Sequence, residues 1–206
     1  MLATRTAKGI ALQPTCDIMI TLHSLKLTDE QFFKIAQSNP EWNFEQSSEG
    51  ELIILPPTGG TSGRRNRSLT GQLNNWVEAN LELGEGFDSS TLFVLPNGAK
   101  RSPDASWVRR DRWDALTPQQ QDGYPPLCPD FVVELRSPTD DLKQLQLKMQ
   151  EYIDNGAQLG WLINPQDKQV EIYKPEQLKD ILYSPATLSG EDVLPGFVLR
   201  CDRVWN

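Results

Sequence analysis

The chain holds a single histidine, His23, which leaves no partner for a histidine-based triad or a multi-histidine metal site, so His23 is read as a surface or packing residue. Cysteine is scarce as well. Cys16, Cys128 and Cys201 are odd in number and widely spaced, a pattern that offers no zinc site and favours reduced thiols in a cytoplasm. No apolar run approaches the ~18 residues that a membrane helix requires, and there is no internal repeat or low-complexity segment. Arg5 and Lys8 precede only a short apolar stretch, so no cleaved signal peptide is expected. Basic charge is in deficit: 20 Lys and Arg against 28 Asp and Glu give a formal charge of −8, which argues against coating nucleic acid through overall basicity. Gly59-Gly60-Thr61-Ser62-Gly63-Arg64-Arg65 lacks the Gly-Lys-Ser/Thr ending of a nucleotide loop and is read as a hinge or an active-site rim.

The stretch from Arg101 to Tyr152 carries the chemistry. Pro129 to Pro138 reads as a strand with period 2, placing Phe131, Val133 and Leu135 on one face and Val132, Glu134 and Arg136 on the other. A carboxylate thus sits inside an apolar strand, where it needs a proton, a basic partner such as Arg136, or a cation. Asp130 shares that face, but four residues of strand set it about 13 Å away. Asp104 heads the apolar run Ala105-Ser106-Trp107-Val108, a neighbouring strand, and adjacent strands lie only about 5 Å apart. The following helix carries the stripe Leu142, Leu145, Met149, Tyr152 and Ile153. Lys148 flanks it by about 40° and can look toward the sheet. An Asp, a Glu on the adjacent strand and a Lys in the next helix form the layout of a metal-dependent phosphodiesterase.

Along the rest of the chain, residues 1–26 read as an N-terminal arm and 27–206 as one domain, long enough for a substantial core. Thr28 with Gln31 makes a capping box that opens a helix, and Trp42 to Leu55 reads as a hairpin turning at Ser-Ser-Glu-Gly. Leu69, Leu73, Trp76, Val77 and Leu81 mark a second helix in spite of Gly71, with Arg64, Arg65 and Arg67 at its entry as candidate DNA-phosphate contacts. Phe87 to Leu95 reads as one strand. Arg109 to Cys128 reads as an irregular insert anchored by Trp113 and Leu116, a candidate lid or partner surface. The Lys148 helix opens near Ser137 to Thr139 and ends at Asn155-Gly156. Leu159 to Ile163 and Gln169 to Tyr173 complete the sheet, and scattered apolar anchors follow.

These segments resemble the PD-(D/E)xK nuclease superfamily, and within it a restriction-endonuclease family formerly known as a domain of unknown function. The resemblance runs from about Leu27 to the C-terminus. It rests on Leu-Pro-Pro-Thr-Gly-Gly (55–60), Leu-Pro-Asn-Gly-Ala (95–99), Ser-Pro-Asp-Ala-Ser-Trp-Val (102–108), Pro-Asp-Phe-Val-Val-Glu-Leu-Arg-Ser-Pro (129–138), Lys-Met-Gln-Glu-Tyr-Ile-Asp-Asn-Gly (148–156) and Gly-Trp-Leu-Ile-Asn-Pro (160–165). It implies an α/β restriction-endonuclease-like core, a mixed central β-sheet flanked by helices, here with an N-terminal helix and β-hairpin extension. It implies hydrolysis of DNA phosphodiesters with Mg²⁺, for which Mn²⁺ can substitute, held by Asp104, Glu134 and the Leu135 carbonyl. Lys148 matches the helix lysine of the family, whereas Arg136 stands where the superfamily has its lysine, so both are candidate catalytic cations. Gln144, one turn before Lys148, and Asp88 are candidate accessory groups. Cutting both strands of a duplex suggests a homodimer. The alternative is a non-catalytic module that keeps the fold for interaction or nucleic-acid binding.

Overall fold

A computed structural model describes residues 19–205, and regular structure starts earlier than the sequence predicts. Seven residues of the predicted arm form β1 (Ile20–Lys26), while residues 1–18, with Cys16, and Asn206 lie outside the described residues. α1 (Asp29–Ser38) opens on the predicted capping box: Gln31 N donates to Thr28 Oγ1, and Thr28 N donates to Gln31 Oε1. β2 (Asn43–Gln46) and β3 (Glu51–Leu55) form the predicted hairpin, and β1 pairs with the outer edge of β3, Ile20 opposite Ile54. The pairing is tertiary, which is why local sequence does not announce it.

α2 (Gly60–Glu78) begins at the glycines predicted to be a hinge or rim; they supply its first turn, with Gly59 at the N-cap. The strand predicted from Phe87 to Leu95 is in fact two, β4 (Gly84–Asp88) and β5 (Phe93–Val94), lying in different sheets. Asp88 breaks it, because its Oδ1 accepts from both Ser90 N and Ser90 Oγ and turns the chain. β6 (Lys100–Arg101) and β7 (Ala105–Arg109) follow. The predicted irregular insert contains α3 (Arg110–Asp114) and α4 (Pro118–Asp122), the latter opened by a second capping box, Thr117 with Gln120. Next come β8 (Phe131–Leu135) and α5 (Leu142–Asp154), which starts at Asp141 rather than near Ser137. Asp141 caps the amides of Lys143 and Gln144, while Asp140 Oδ2 accepts from Ser137 N and holds a turn ahead of the helix. β9 (Leu159–Asn164) and β10 (Gln169–Tyr173) are as predicted. The tail is more ordered than its scattered anchors suggest, with β11 (Asp180–Tyr183), the hairpin of β12 (Thr187–Ser189) and β13 (Val198–Arg200), and α6 (Asp202–Trp205).

The central sheet has the order β11-β10-β9-β8-β7-β4, antiparallel except for the parallel pair β8 and β9. α5 is the crossover between those two parallel strands. A second sheet, β1-β3-β2-β6-β5, carries the N-terminal extension. α2 and the C-terminal segment cover one face of the central sheet, packing Leu69, Leu73, Phe197 and Leu199 against Phe131, Val133 and Trp161. α5 covers the other, packing Met149, Tyr152 and Ile153 against Val132 and Leu162. The period-2 reading of β8 therefore holds residue by residue. Gly160 of β9 sets how close α5 comes: a Cβ there would meet Met149 Cε at 2.5 Å. Since Met149 adjoins Lys148, that close approach also fixes where the lysine emerges.

One buried cation ties the extension to the core. Lys100 is fully buried; its Nζ donates to Asp29 Oδ1 and to Gln46 Oε1, each at 2.7 Å, and lies 5.4 Å from the Phe32 ring centroid. A buried ammonium persists only when paired in this way. α1, β2 and β6 are thereby held in one register.

Candidate active site

Ala105 of β7 lies opposite Val133 of β8, and continuing that antiparallel register by one step sets Asp104 opposite Glu134. The two predicted acids are thus neighbours. Asp104 Oδ2 accepts from Leu135 N at 2.7 Å, and its Oδ1 accepts from Asn66 Nδ2 of α2 at 2.8 Å. Glu134 is 5% exposed and uses Oε1 to accept from Tyr152 Oη at 3.0 Å and to pair with Lys148 Nζ at 2.8 Å. The helical flank position predicted for Lys148 does direct its ammonium onto the sheet.

Lys148 has a second partner that the sequence did not reveal. Its Nζ lies 2.8 Å from Glu45 Oε1, a carboxylate of β2 that is only 1% exposed. Glu45 also accepts from Ser102 N and pairs with Arg101, whose Nε reaches Glu151 of α5 at 2.6 Å. The cluster therefore joins Asp104 and Glu134 of the central sheet, Lys148 of α5, and Glu45 of the extension.

The charges are unequal in their comfort. Burial raises the pKa of Asp104 to about 6; the Leu135 amide and Lys148 pull it down, while Asp140 and Glu45 add to the rise. Burial also raises Glu134, against the pull of Lys148 and with further push from Asp104 and Glu45. Burial opposes ionisation of Glu45 too, but there Lys148 and Arg101 prevail and hold its pKa below the usual carboxylate range. For Lys148 burial favours the neutral amine, yet Glu134 and Glu45 outweigh it and raise the pKa, so it stays a fixed cation near neutral pH. In the folded protein Asp104 binds its proton more tightly than in the unfolded chain, whose carboxyl titrates near 3.8. The unfolded chain loses that proton first as pH rises, so the contribution of Asp104 to stability falls between about pH 4 and pH 6 and levels off above.

Asp104 has no cation in contact among the described residues and Glu134 shares Lys148 with Glu45, so the two acids are under-compensated, and hard carboxylate oxygens in that condition suit Mg²⁺ or Mn²⁺. Among the described residues no three His, Cys, Asp or Glu side chains form a metal-ligating group, so a main-chain oxygen such as that of Leu135 would have to complete the protein's donors.

The other predicted residues lie elsewhere. Arg136 is just past the end of β8, where the strand's alternation no longer binds it; it donates to Asp140 O and pairs with Asp167 at 3.7 Å, not with Glu134. Gln144 is exposed on the flank one turn before Lys148. Asp88 is exposed and committed to its turn with Ser90. It does border a cleft of about 740 Å³ between α2 and β4, along with Thr58, Asn66, Arg67, Asn74 and Thr91. Asn66, which binds Asp104, connects this polar cleft to the carboxylates. Arg65 leaves the predicted basic patch: its guanidinium donates to Trp205 O and packs α2 on α6, while Arg64 and Arg67 are exposed. The second basic run is neutralised by Asp111, Glu85 and Asp130, the partners of Arg109, Arg110 and Arg112.

Residues 29–202 match the sequence profile of a family, Uma2, described as "Putative restriction endonuclease". Among solved structures, a "putative nuclease belonging to DUF820" from Anabaena variabilis superposes with a TM-score of 0.72 at 20% identity, covering 87% of this chain and 97% of its own. Among curated proteins none matches.

Proposed function

Starting from a chain that belongs to the Uma2 restriction-endonuclease family, we propose a PD-(D/E)xK-type nuclease that hydrolyses DNA phosphodiesters in a metal-dependent reaction. The observation that carries this reading is the placement of Asp104 opposite Glu134 with Lys148 bound at Glu134 Oε1. Asp104, Glu134 and the Leu135 carbonyl would hold Mg²⁺, or Mn²⁺ in its place. The ion would supply an activated water and stabilise charge on the phosphate. Lys148 contributes a permanent positive charge beside the phosphate, in a site where burial strengthens it. Because its pKa is raised, it acts by charge and by orienting oxygen rather than by giving up a proton. Tyr152 and the Leu135 amide fix the two carboxylates. Cys128 and Cys201 are both buried free thiols, which suits a reducing cytoplasm.

Calorimetry with Mn²⁺ tests the site. The wild type should bind, and Asp104→Ala and Glu134→Ala should each weaken binding at least tenfold; equal affinity in all three would remove the site. In EDTA at pH 8 the conservative variants Asp104→Asn and Glu134→Gln should unfold at a higher temperature than the wild type. Each removes a charge that the folded state disfavours, an effect on the order of 3 kcal/mol for Asp104. Cleavage of supercoiled plasmid that requires Mg²⁺ then tests the reaction itself.

We further propose a homodimer, the simplest arrangement for cutting two strands. Trp113 and Leu116 anchor the insert against the core as expected and so leave little apolar surface there, but Trp42 beside the hairpin is 50% exposed, and edge strand β11 exposes Ile181, Leu182 and Tyr183. Light scattering at micromolar concentration should give twice the 23.3 kDa chain mass. A monomer mass would leave a nicking or single-strand activity.

A further inference from the structure

α2 and α6 enclose a second, smaller cleft of about 400 Å³, bordered by Arg64, Arg67, Gln72, Asn75 and Arg203. Two of its arginines differ from those elsewhere. Arg101, Arg109, Arg110, Arg112, Arg136 and Arg200 all pair with carboxylates, whereas Arg67 and Arg203 have no ion-pair partner among the described residues. A chain of formal charge −8 thus sets two arginines without an ion-pair partner among the described residues beside one cleft, where an anion would supply the missing charge.

Two further features indicate what kind of anion. Arg67 borders both this cleft and the larger one lined by Asn66, whose amide donates to Asp104, so the two clefts adjoin along α2 on the side of the carboxylates. Gly71 also borders both. It lies in the interior of α2, where glycine is an unfavourable helix residue, and a Cβ there would meet nothing within 4 Å. Packing within the protein does not require a glycine at this point. A bare stretch of helix between arginines and amide side chains suits a ligand that passes close over the backbone.

Resting on the nuclease reading above, we infer that this cleft is a second phosphate site, in which Arg67 and Arg203 hold the DNA backbone away from the reacting phosphodiester, with Gly71 as its floor. The contact reads phosphate and not base, so it anchors the duplex without specifying sequence.

The experiment is anisotropy of a fluorescein-labelled 30-base-pair duplex in EDTA, titrated from 50 to 200 mM salt. The wild type should bind, and the slope of log K against log[salt] should shrink by about one for each of Arg67→Ala and Arg203→Ala, and by about two for the double variant. Arg203→Lys should retain the wild-type slope. Gly71→Gln should unfold at a higher temperature than the wild type yet bind several-fold more weakly, a combination that damage to the fold would not produce. A folded double variant with wild-type slope and affinity overturns the proposal, and so does a wild type that fails to bind. Because binding is read without metal, a protein that binds in this way but never cleaves refutes the nuclease reading and leaves the phosphate site standing.

Discussion

Lys148→Ala is expected to lower the single-turnover cleavage rate about a hundredfold or more, the usual scale for losing one preorganised charge at a developing phosphate anion. Arg136→Ala, by contrast, should stay within a few-fold. The contrast follows from where the two cations go. Lys148 touches Glu134 and Glu45 at 2.8 Å each, whereas Arg136 is engaged with Asp167 and Asp140 at the sheet end. The rate is to be measured under single turnover with saturating Mg²⁺, alongside Lys148→Arg, which restores charge but not shape. A hundredfold loss in Arg136→Ala with little change in Lys148→Ala would transfer the role to Arg136.

Glu45→Ala should destabilise the fold on the order of 3 kcal/mol, read from the urea midpoint. The substitution leaves the buried Lys148 and Arg101 each with one carboxylate fewer, Glu134 and Glu151 being what remains. This is the reverse of the stabilisation expected at Asp104, and the difference lies in the direction of the two pKa shifts: Glu45 is lowered by its cations, Asp104 raised by its burial. Glu45→Gln keeps an acceptor for Lys148 and should recover part of the loss. A double-mutant cycle of Glu45→Ala with Lys148→Met should show a coupling energy of at least about 1 kcal/mol. Independent effects would mean that the hairpin carboxylate does not hold the lysine.

The sequence was informative wherever one element explained itself. Period 2 placed Phe131 and Val133 on one face of β8 and Glu134 on the other, and the α5 stripe put Lys148 at its edge, because each pattern records the burial of a single strand or helix. Capping chemistry located α1 for the same reason, and the insert hid a second capping box, at Thr117 and Gln120, in a stretch rich in proline and glutamine. Failures occurred where partners are remote. β2 looked like half of an exposed hairpin, and only its pairing with β6 makes it an inner strand. The reasoning that singled out Glu134, a carboxylate inside a buried strand, would have singled out Glu45 as well, had that pairing been visible. Arg136 misled because strand periodicity was carried one residue past the end of β8.

The bond from Lys148 to Glu45 closes 103 residues of chain, and the same cluster also draws on Asn66, Arg101, Asp104 and Glu134. Closing so long a loop is slow relative to local structure. A growing polypeptide on the ribosome can form α1, the hairpin and α2 well before α5 emerges, but none of these early pieces carries the lysine. A chain that stops before α5 lacks Lys148 and cannot assemble the cluster. Under the nuclease reading proposed above, that timing would safeguard the DNA around the nascent chain: no cleavage is expected until the chain is nearly complete and its two sheets have met.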